Sequence, residues 1–443
     1  MDRRSFLKTS TIGLGALALN ETPAQAKKKP LPSTQRLEAQ TWITEPARQI
    51  PVIASADVVV VGGGPAGVAA ALSAAREGCS VYLVERTGFL GGLWTGGFVL
   101  IVWCIFGANK QGKQTQVIHG VTSEILDNLK QRNMLIFERK PTPDPEAAKY
   151  VLAEMLHDAG VNVLYNSFGA NVIRHGEHID ALILETKSGR VAIQGKMFVD
   201  ASGDGDMMEW AGDEYREMRY QLGLNYRLGN VDHVNPNAPG FEKQWIGDQT
   251  PLPSVNWVNI YGQPKQDALD VFNLSRLQYE LRKSAWENTE KIRQKPGYED
   301  IFLLDTAPIL GTRVARILNS LHNVTLEESM TYTVYEDVIG ISGGWTDLPY
   351  KNGTVKAQDR PYWQIPLRSL LSPKTKNLIV AGRCFGFEKE LVEDAREIGT
   401  CFVTGQGAGV AAAQAVLQQT VPADLDLQKL RSALLRQNVF LDA

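Results

Sequence analysis

The chain has 443 residues, enough for a large buried core and two or three domains. Its formal net charge of −3 provides no general attraction to nucleic acid or to an anionic membrane, so neither is expected as a partner. The four cysteines form no Cys-x-x-Cys pair and no metal-ligand spacing. This disfavours zinc, iron–sulfur clusters and a disulfide framework, and no metal is expected.

The N-terminus has the pattern of an export signal. The run from Arg3 to Lys8, Arg-Arg-Ser-Phe-Leu-Lys, resembles a twin-arginine signal, and Thr11 to Leu19 is a short apolar segment. That segment is well below the roughly 20 residues that span a bilayer, and Ala24 to Ala26 offers a small-x-small cleavage site. These features predict transport by the twin-arginine translocase, a periplasmic or otherwise exported location, and no stable membrane insertion after cleavage. A basic disordered tail is the alternative.

A glycine-rich turn follows the first long apolar run. A short strand is expected at 51–53, and Val58 to Val61 predicts a strand buried on both faces of a parallel sheet. Gly62, Gly64 and Gly67 then match the G-x-G-x-x-G spacing. This spacing gives a tight turn, a close approach of pyrophosphate to the backbone, and close packing of a helix on the strand.

The second apolar run ends in Glu85, about 20 residues further on, where a carboxylate can bind both ribose hydroxyls of a dinucleotide. Together with the glycine turn, Glu85 predicts a site for FAD or NAD. Two glycine pairs follow, Gly91-Gly92 and Gly96-Gly97. They favour backbone lying flat against a planar group, with an ordinary glycine-rich loop as the alternative. Phe98 to Trp103 is apolar and predicts a buried strand or a core loop.

The middle of this region has a βαβ rhythm, typical of a parallel sheet. Helices are expected at Val121 to Lys130 and Asp144 to Gly160, and a strand at Val161 to Tyr165. Three short runs with turn residues between them predict a small antiparallel insertion: Asn171 to Arg174, Ile179 to Glu185 and Arg190 to Ile193.

The next predicted strand, Met197 to Asp200, leads into an Asp-rich turn that contains Gly203, Asp204 and Asp206. An EF-hand calcium loop is rejected, because its twelfth position would be Ala211, where Glu is needed. A strand that delivers small residues to a nucleotide explains the turn better.

From about Tyr215 to Pro361 the chain becomes rich in aromatics, Asn and Pro and loses the parallel-sheet rhythm. This change predicts a second, substrate-facing domain. Ser275 to Lys291 predicts a charged helix with a solvated face, and Arg316 is interpreted as a surface charge. Near the C-terminus, Thr400 is the expected N-cap of a small-residue helix whose positive end points at the nucleotide site. A plain packing helix is the alternative.

In order and together, these motifs resemble the bacterial FAD-dependent oxidoreductase family known as FAD-oxidored, within the wider glutathione-reductase-like flavoproteins. The resemblance covers most of Asp57 to Gln418. Seven stretches carry it: 60–67, 85–92, 198–206, 311–316, 366–371, 380–384 and 405–409. It implies an α/β fold, with a Rossmann-like FAD-binding domain whose parallel sheet carries a small inserted antiparallel sheet, and a second α+β substrate domain.

The resemblance also implies roles for individual residues. They concern the successive parts of FAD: Gly62, Gly64, Pro65, Ala66 and Gly67 at the pyrophosphate turn, Glu85 at the ribose, Arg86 and Val172 beside the adenosine, Gly203 and Asp204 in the nucleotide-facing turn, Gly91 and Gly92 against the isoalloxazine, Gly382 and Arg383 at the ribityl chain, and the amides of Cys401 and Phe402 at the flavin pyrimidine.

More distantly, the C-terminal part is similar to the flavoprotein subunits of fumarate reductase and succinate dehydrogenase. The similarity implies that Arg396, just before the flavin-facing helix, binds a substrate carboxylate. Their Gly-Gly-Asn-Ser run and their His-Thr motif for covalent flavin have no counterpart here, so non-covalent FAD is expected.

Three residues are candidates for the chemistry. Arg396 is the first, with a structural salt bridge to Asp394 or Glu397 as the alternative. Arg313 is the second, with a domain-interface ion pair as the alternative, and His119 is an acid–base candidate unless it is a core histidine. Cys401 is interpreted as a small buried residue rather than a redox thiol.

The predicted domains are a signal at 1–26, an arm at 27–55, a discontinuous FAD-binding domain at 55–214 and 366–443, and a substrate or cap domain at 215–365. The predicted function is an exported FAD-dependent oxidoreductase. It would act on a small organic substrate, a carboxylate being one option, by hydride or electron transfer at flavin N5. A flavin-bearing electron carrier without turnover and an NAD-linked dehydrogenase are the alternatives. The electron acceptor or donor is left open.

Overall fold

The computed structural model describes residues 43–136, 140–260 and 262–441. The predicted export signal and the first part of the predicted arm, through residue 42, lie outside the described residues. No helix in the three described ranges is both long and apolar enough to cross a membrane.

The strands of the described chain are numbered in order: β1 (Val52–Val61), β2 (Val81–Val84), β3 (Phe106–Ala108), β4 (Gln114–Gln116), β5 (Leu135–Ile136), β6 (Thr142–Pro143), β7 (Asn162–Leu164), β8 (Phe168–His175), β9 (His178–Thr186), β10 (Gly189–Asp200), β11 (Tyr215–Glu217), β12 (Tyr220–Gly223), β13 (Tyr226–Gly229), β14 (Asp248–Gln249), β15 (Val255–Val258), β16 (Gln263–Gln266), β17 (Phe302–Thr306), β18 (Gly311–Thr312), β19 (Arg316–Leu318), β20 (Val338–Ser342), β21 (Leu348–Tyr350), β22 (Gly353–Val355), β23 (Trp363–Pro366) and β24 (Leu378–Val380).

The α-helices are numbered in the same way: α1 (Pro65–Arg76), α2 (Gly92–Thr95), α3 (Val121–Gln131), α4 (Pro145–Asp158), α5 (Asp206–Trp210), α6 (Val271–Arg293), α7 (Leu326–Met330), α8 (Val392–Ala395), α9 (Ile398–Gln418) and α10 (Leu427–Arg436). Short 3₁₀ turns occur at Val231–His233, Ala357–Asp359, Leu367–Leu370, Lys389–Leu391 and Pro422–Asp424.

The core of the molecule is a parallel sheet in which β7, β2, β1, β10 and β24 lie side by side. Val58 and Val60 of β1 face one apolar cluster, and Val59 and Val61 face another on the opposite side of the sheet. Burial on both faces explains why this strand is a continuous apolar run. The expected strand at 51–53 is not separate: β1 already begins at Val52, because Val52 pairs with Ala192 of the long β10.

The small antiparallel sheet is confirmed, and it shares a strand with the parallel one. The predicted strands at Arg190 to Ile193 and Met197 to Asp200 are a single strand of 12 residues, β10. Its first half pairs antiparallel with β9, and its last residues pair parallel with β24. No turn interrupts it, because Gly195 keeps its place in the ladder opposite Ala56 of β1. The fold is therefore mixed α/β, as predicted.

One face of the parallel sheet is covered by α1, α3, α4 and α9, whose buried residues form the largest apolar cluster. Helix α9 packs directly on α1. A Cβ atom at Gly405 would lie 2.1 Å from the Ala66 carbonyl oxygen, and one at Gly409 would lie 2.1 Å from that of Ala70. The two helices can approach this closely only because these positions carry no side chain.

The chain between Tyr215 and Pro361 contributes mainly short antiparallel strands. They form a four-stranded sheet in the order β14-β15-β13-β17 and a three-stranded one in the order β16-β12-β18, with α6 packed against β17. The apolar run Phe98 to Trp103 is a core loop rather than a strand. Its residues Phe98, Leu100 and Ile101 are buried against Leu222 and Trp257 of these sheets. The loop that follows the glycine motifs therefore packs directly on the sheets formed by the middle of the chain.

Candidate active site

A narrow cleft of about 120 Å³ lies at the carboxyl ends of β1 and β2. Three distant parts of the sequence meet there: the glycine turn, the glycine pair after Glu85, and the start of α9. They are represented in the wall by Gly64, Gly92 and Ile398. Ligands of parallel α/β sheets bind at this edge, beyond the carboxyl ends of the strands.

The glycine turn has the geometry that its spacing predicts. Gly62 adopts φ +99°, a backbone conformation that side-chain-bearing residues rarely adopt. A Cβ atom at Gly67 would lie 1.7 Å from the Gly62 carbonyl oxygen and 3.3 Å from Ala201 Cβ, so α1 packs tightly on the end of β1. Gly67 therefore acts from behind the turn and is not among the described residues that line the cleft.

The face of the turn that meets the cleft is open. A Cβ atom at Gly64 would meet only the Gly92 Cα, at 3.9 Å. Helix α1 begins with Pro65, and within the described chain no side chain caps its N-terminus. Uncapped N–H groups and the positive end of the helix dipole suit a phosphate group. Gly91 supports this arrangement from outside the cleft wall, since its N–H donates to the Gly63 carbonyl at 2.7 Å.

Glu85 is buried and lines the cleft beside Arg86. Its Oε2 accepts the Gly63 N–H at 2.7 Å, and its Oε1 accepts the Thr87 N–H at 2.7 Å and the Thr87 hydroxyl at 2.8 Å. A carboxylate has about four lone-pair sites, so Oε2 retains acceptor capacity for a ligand hydroxyl. The carboxylate is thus held rigid before any ligand arrives.

The start of α9 differs from the prediction, which made Thr400 the N-cap and placed the amides of Cys401 and Phe402 at the flavin pyrimidine. The helix begins at Ile398 with Glu397 as the N-cap, and Thr400 uses its hydroxyl to contact the Asp394 carbonyl at 2.7 Å. The Cys401 N–H donates to the Glu397 carbonyl at 2.8 Å and is therefore engaged in the helix. The amides without intrahelical acceptors are those of 398–400.

Phe402 packs edge-on against Trp94 at 5.4 Å between ring centroids, so it supports the wall from behind, whereas Cys401 lines the cleft. Burial raises the pKa of the Cys401 thiol to about 12. The thiol is therefore neutral, as expected of a small buried residue.

Val172 was predicted to flank the adenosine, and the structure places it elsewhere. It pairs with Leu182 of β9, is buried in an apolar cluster and is not among the described residues that line the cleft. The cleft instead meets the start of β8, at Phe168 and Gly169. These two residues were missed, because β8 begins earlier than the predicted run; the available signal was the turn that precedes it.

Arg383 and Gly382 lie at the wall of the cleft, as the resemblance implied. Arg383 Nη1 contacts Asp204 Oδ1 at 2.8 Å, and its Nη2 donates to the Thr312 hydroxyl at 3.0 Å. Gly203 lines the cleft, but Asp204 is not among its described lining residues. Asp204 therefore contributes by holding the buried Arg383 rather than by facing the cleft.

A second, much larger cavity of about 1180 Å³ adjoins the cleft. Leu93, Arg383, Arg396 and Ile398 line both spaces. The large cavity has an aromatic part, in which Trp103 and Trp345 stack at 5.1 Å, and a charged part that includes Arg313, Glu393 and Glu397. Its charged end is therefore next to the start of α9.

Arg396 already has two carboxylate partners. Its guanidinium contacts Glu393, and its Nη1 lies 2.9 Å from Glu397 Oε1. The structure thus shows the alternative, a salt bridge with Glu397, while Asp394 pairs with the buried Arg360 instead. Burial and the Arg396 charge lower the pKa of Arg313, another arginine of the large cavity, against the opposing charges of Glu393 and Glu397. Positive and negative groups are therefore closely spaced in this part of the cavity.

His119 and Arg316 differ from their predicted settings. His119 Nε2 is 3.1 Å from the Gln116 carbonyl oxygen and its ring lies beside Phe440, and it lines neither described cavity. This supports the core-histidine alternative. Arg316 is no surface charge: it is largely buried and contacts Asp206 at 3.2 Å and Glu209 at 3.6 Å. Within the described ranges no cluster of His, Cys, Asp and Glu could hold a metal ion.

Comparison with known proteins points to one family. A family model described as FAD dependent oxidoreductase matches residues 57–434. A thiamine thiazole synthase from Aeropyrum pernix is 51% identical over 45 residues, a match that spans 10% of this chain and only 17% of that protein.

Two solved structures are similar in fold. A geranylgeranyl bacteriochlorophyll reductase-like protein from Thermoplasma acidophilum is 16% identical, covers 87% of this chain and 84% of its own, and has a TM-score of 0.45. A p-nitrophenol 4-monooxygenase from Pseudomonas putida is 14% identical, with coverages of 82% and 79% and a TM-score of 0.40. At these scores neither structure bears on the substrate.

Proposed function

Because the chain belongs to the FAD-dependent oxidoreductase family, we propose that it oxidises or reduces a small organic molecule where its two cavities meet. The protein is an FAD-dependent enzyme, and the flavin supplies hydride or electron transfer at its N5 atom. The residues of the chain bind and orient the two partners and exclude water from the site between them.

The polar groups of the cleft suit FAD. The open backbone at Gly64 and Gly92 and the uncapped start of α1 would hold the pyrophosphate. Glu85 would accept a ribose hydroxyl, and Phe168 would flank the adenosine. The flavin ring would lie where the cleft meets the start of α9, whose first amides have no intrahelical acceptor. We propose non-covalent binding.

The observation that supports an enzyme over an electron carrier is the wall shared by the two cavities. The larger volume, about 1180 Å³, is ample for a small molecule. A substrate there would lie against the same residues that border the cofactor cleft. An electron carrier needs no such cavity beside its flavin.

For a carboxylate-bearing substrate we propose Arg313 as the anchoring residue in place of Arg396. Arg396 is compensated by Glu393 and Glu397, so a third carboxylate would gain little from it. Burial and the Arg396 charge disfavour the charged form of Arg313, whereas the charges of Glu393 and Glu397 favour it. A substrate carboxylate in the cavity would further favour the guanidinium and would be recognised through charge-assisted hydrogen bonds.

The test begins with the purified holoprotein. Heat denaturation should release the flavin into solution, and anaerobic addition of one member of a panel of small organic acids, alcohols and amines should bleach the flavin absorbance. Reduction by a redox dye with no response to any member of the panel would instead support the electron carrier.

With a carboxylate substrate in hand, Arg313→Gln should raise KM about 10- to 100-fold, the loss expected for one charged hydrogen-bonding partner. The matched control is Arg132→Gln, which removes an arginine paired with Glu154 outside both cavities. Equal KM values in the two variants would refute the role of Arg313.

We also propose that the protein is exported by the twin-arginine translocase, on the basis of Arg3 and Arg4 and the short apolar segment after them. Replacing both arginines by lysine should retain the flavoprotein in the cytoplasm on cell fractionation. Unchanged export of this double variant would refute the proposal.

A further inference from the structure

We propose that Glu397 is the acid–base residue of this site, taking a proton from the substrate when it is oxidised and returning one when the reaction runs in reverse. The inference rests on the proposed function and names the proton-transfer group that this function needs. It was not among the candidates from the sequence, which considered Glu397 only as a partner of Arg396.

The position of Glu397 favours this role. It lies between Arg396 and Ile398, and both of these neighbours line the cofactor cleft as well as the large cavity. Glu397 itself lines the large cavity, although its accessible fraction is only 3%. Glu397 therefore lies in the wall of the cavity, next in sequence to two residues that border the cleft, and is shielded from bulk water.

The side chain of Glu397 is not needed to cap α9. The helix starts with the Glu397 carbonyl oxygen, which accepts the Cys401 N–H at 2.8 Å, and the carboxylate makes no capping hydrogen bond in the described chain. Its contact is with Arg396, at 2.9 Å from Oε1 to Nη1. This contact orients one oxygen towards the guanidinium and leaves the carboxyl group available for proton exchange.

The environment lets Glu397 hold or release a proton near neutrality. Burial raises its pKa to about 7, and the negative charges of Glu393 and Asp394 act in the same direction against the opposing charges of Arg396 and Arg313. General acid–base catalysis is most effective when the pKa lies near the working pH.

The other ionisable groups around Glu397 are less suited to proton exchange. The positive charge of Arg396 lowers the pKa of Glu393, and burial raises that of Tyr220 to about 12. Burial keeps the Cys104 and Cys401 thiols neutral by raising their pKa values. Asp394 is held by its ion pair with Arg360.

The oxidative step balances as follows. The substrate O–H or N–H bond breaks, and its proton forms a new O–H bond on the Glu397 carboxylate. Bound FAD would supply the two-electron acceptor for the hydride that the adjacent carbon loses. The product gains a C=O or C=N double bond.

The direct test is the infrared spectrum of the oxidised holoenzyme between about pH 5.5 and about pH 8.5, where ordinary carboxyl groups are fully ionised. Wild-type protein should show a carboxylic-acid band that disappears with a midpoint near pH 7 and that is missing from Glu397→Gln. The band of Asp206, whose pKa burial raises to about 6, should be present in both proteins. No substrate is needed for this measurement. Failure of wild type to show the band with a midpoint near pH 7 would overturn the inference.

The kinetic test uses single-turnover flavin reduction by a substrate from the panel. The pH–rate profile of the wild type should have a rising limb with its midpoint near pH 7, because the carboxylate form is the base. Glu397→Gln should lose that limb and about 100-fold or more in rate. The matched variant Glu393→Gln should keep a limb but at lower pH, since the Glu393 charge raises the Glu397 pKa.

A limb near pH 7 that survives in Glu397→Gln would overturn the proposal. If that variant fails to bind FAD, Glu397→Asp replaces it, and this variant must retain the limb. A titrating carboxyl in a protein that turns over no substrate would count against the proposed function, whereas turnover without the limb would count against Glu397.

Discussion

The cofactor cleft presents mainly backbone to its contents, whereas the large cavity presents side chains. Gly62 and Gly67 fit together so closely that one added carbon would overlap a carbonyl oxygen. Around Arg396, by contrast, charges from several segments balance one another. The shape of the cleft depends on close backbone packing, so side chains can hardly be added to its glycines. The properties of the cavity depend on the balance of its charges, which single substitutions can change.

The largest effect should come from breaking the cleft. Gly67→Ala puts a methyl group 1.7 Å from the Gly62 carbonyl oxygen. We expect flavin-free protein and a loss of about 5 kcal/mol in the free energy of unfolding, at the extreme end for single substitutions. Denaturant unfolding and flavin absorbance measure both. The control is Gly353→Ala, where the added methyl group meets nothing within 4 Å; similar losses in both variants would contradict the steric account.

The next effect tests the charge balance behind the large cavity. Arg360 forms a buried ion pair with Asp394 of α8, the short helix that precedes α9. Arg360→Met strands the Asp394 carboxyl, and we expect a loss of about 3 kcal/mol in unfolding free energy. Lys283→Met, which removes an exposed ion pair on α6, should cost less than about 0.5 kcal/mol. Urea unfolding of both variants measures these losses. Equal losses of unfolding free energy would contradict the difference expected between the buried and the exposed ion pair.

A smaller effect is expected when a charge inside the cleft is removed without changing the size of the side chain. Glu85→Gln keeps an acceptor for the Gly63 N–H, at 2.7 Å in the wild type, but loses the carboxylate charge. We expect FAD affinity to fall by about 1–2 kcal/mol, or roughly 5- to 30-fold. Flavin fluorescence quenching on apoprotein measures it. The exposed control Glu177→Gln should bind FAD like wild type, and an unchanged affinity in Glu85→Gln would show that the ribose contact is absent.

The smallest effect concerns a charge remote from both spaces. The hydrogen bond from Lys196 lowers the pKa of Asp57 to about 2. Because the pKa is lower in the folded state, the stabilisation is present above about pH 4 and is lost as the pH falls towards 2. Asp57→Asn should flatten this loss and change stability at neutral pH by less than about 1 kcal/mol. Acid unfolding followed by circular dichroism would contradict it if the two profiles coincided.

The contrast also explains which features could be read from the sequence. The glycine turn and Glu85 could be recognised from the sequence and lie together at the cleft, because strand, turn and carboxylate follow each other at short, fixed spacing. The fold followed from the same local rhythm of strands and helices. Gly67 was likewise recognised, since close packing of helix on strand needs a glycine at that place.

Features that depend on distant partners were not predictable. Thr400 has the composition of an N-cap, but its hydroxyl contacts Asp394 and lies 2.7 Å from that of Ser342, a residue far away in sequence. The adenosine side of the cleft was placed at Val172, because the start of β8 depends on its pairing with β9. The charge balance around Arg396 likewise requires groups whose proximity only the fold creates.

The crossing of α9 on α1 constrains how the protein is made. The Gly405 and Gly409 contacts join helices that lie hundreds of residues apart in the chain. During synthesis, α1 leaves the ribosome long before its partner exists, so the surface that α9 covers stays unpaired until α9 has been made. A nascent chain that ends before α9 leaves this apolar surface exposed and lacks the wall that α9 contributes to the cleft.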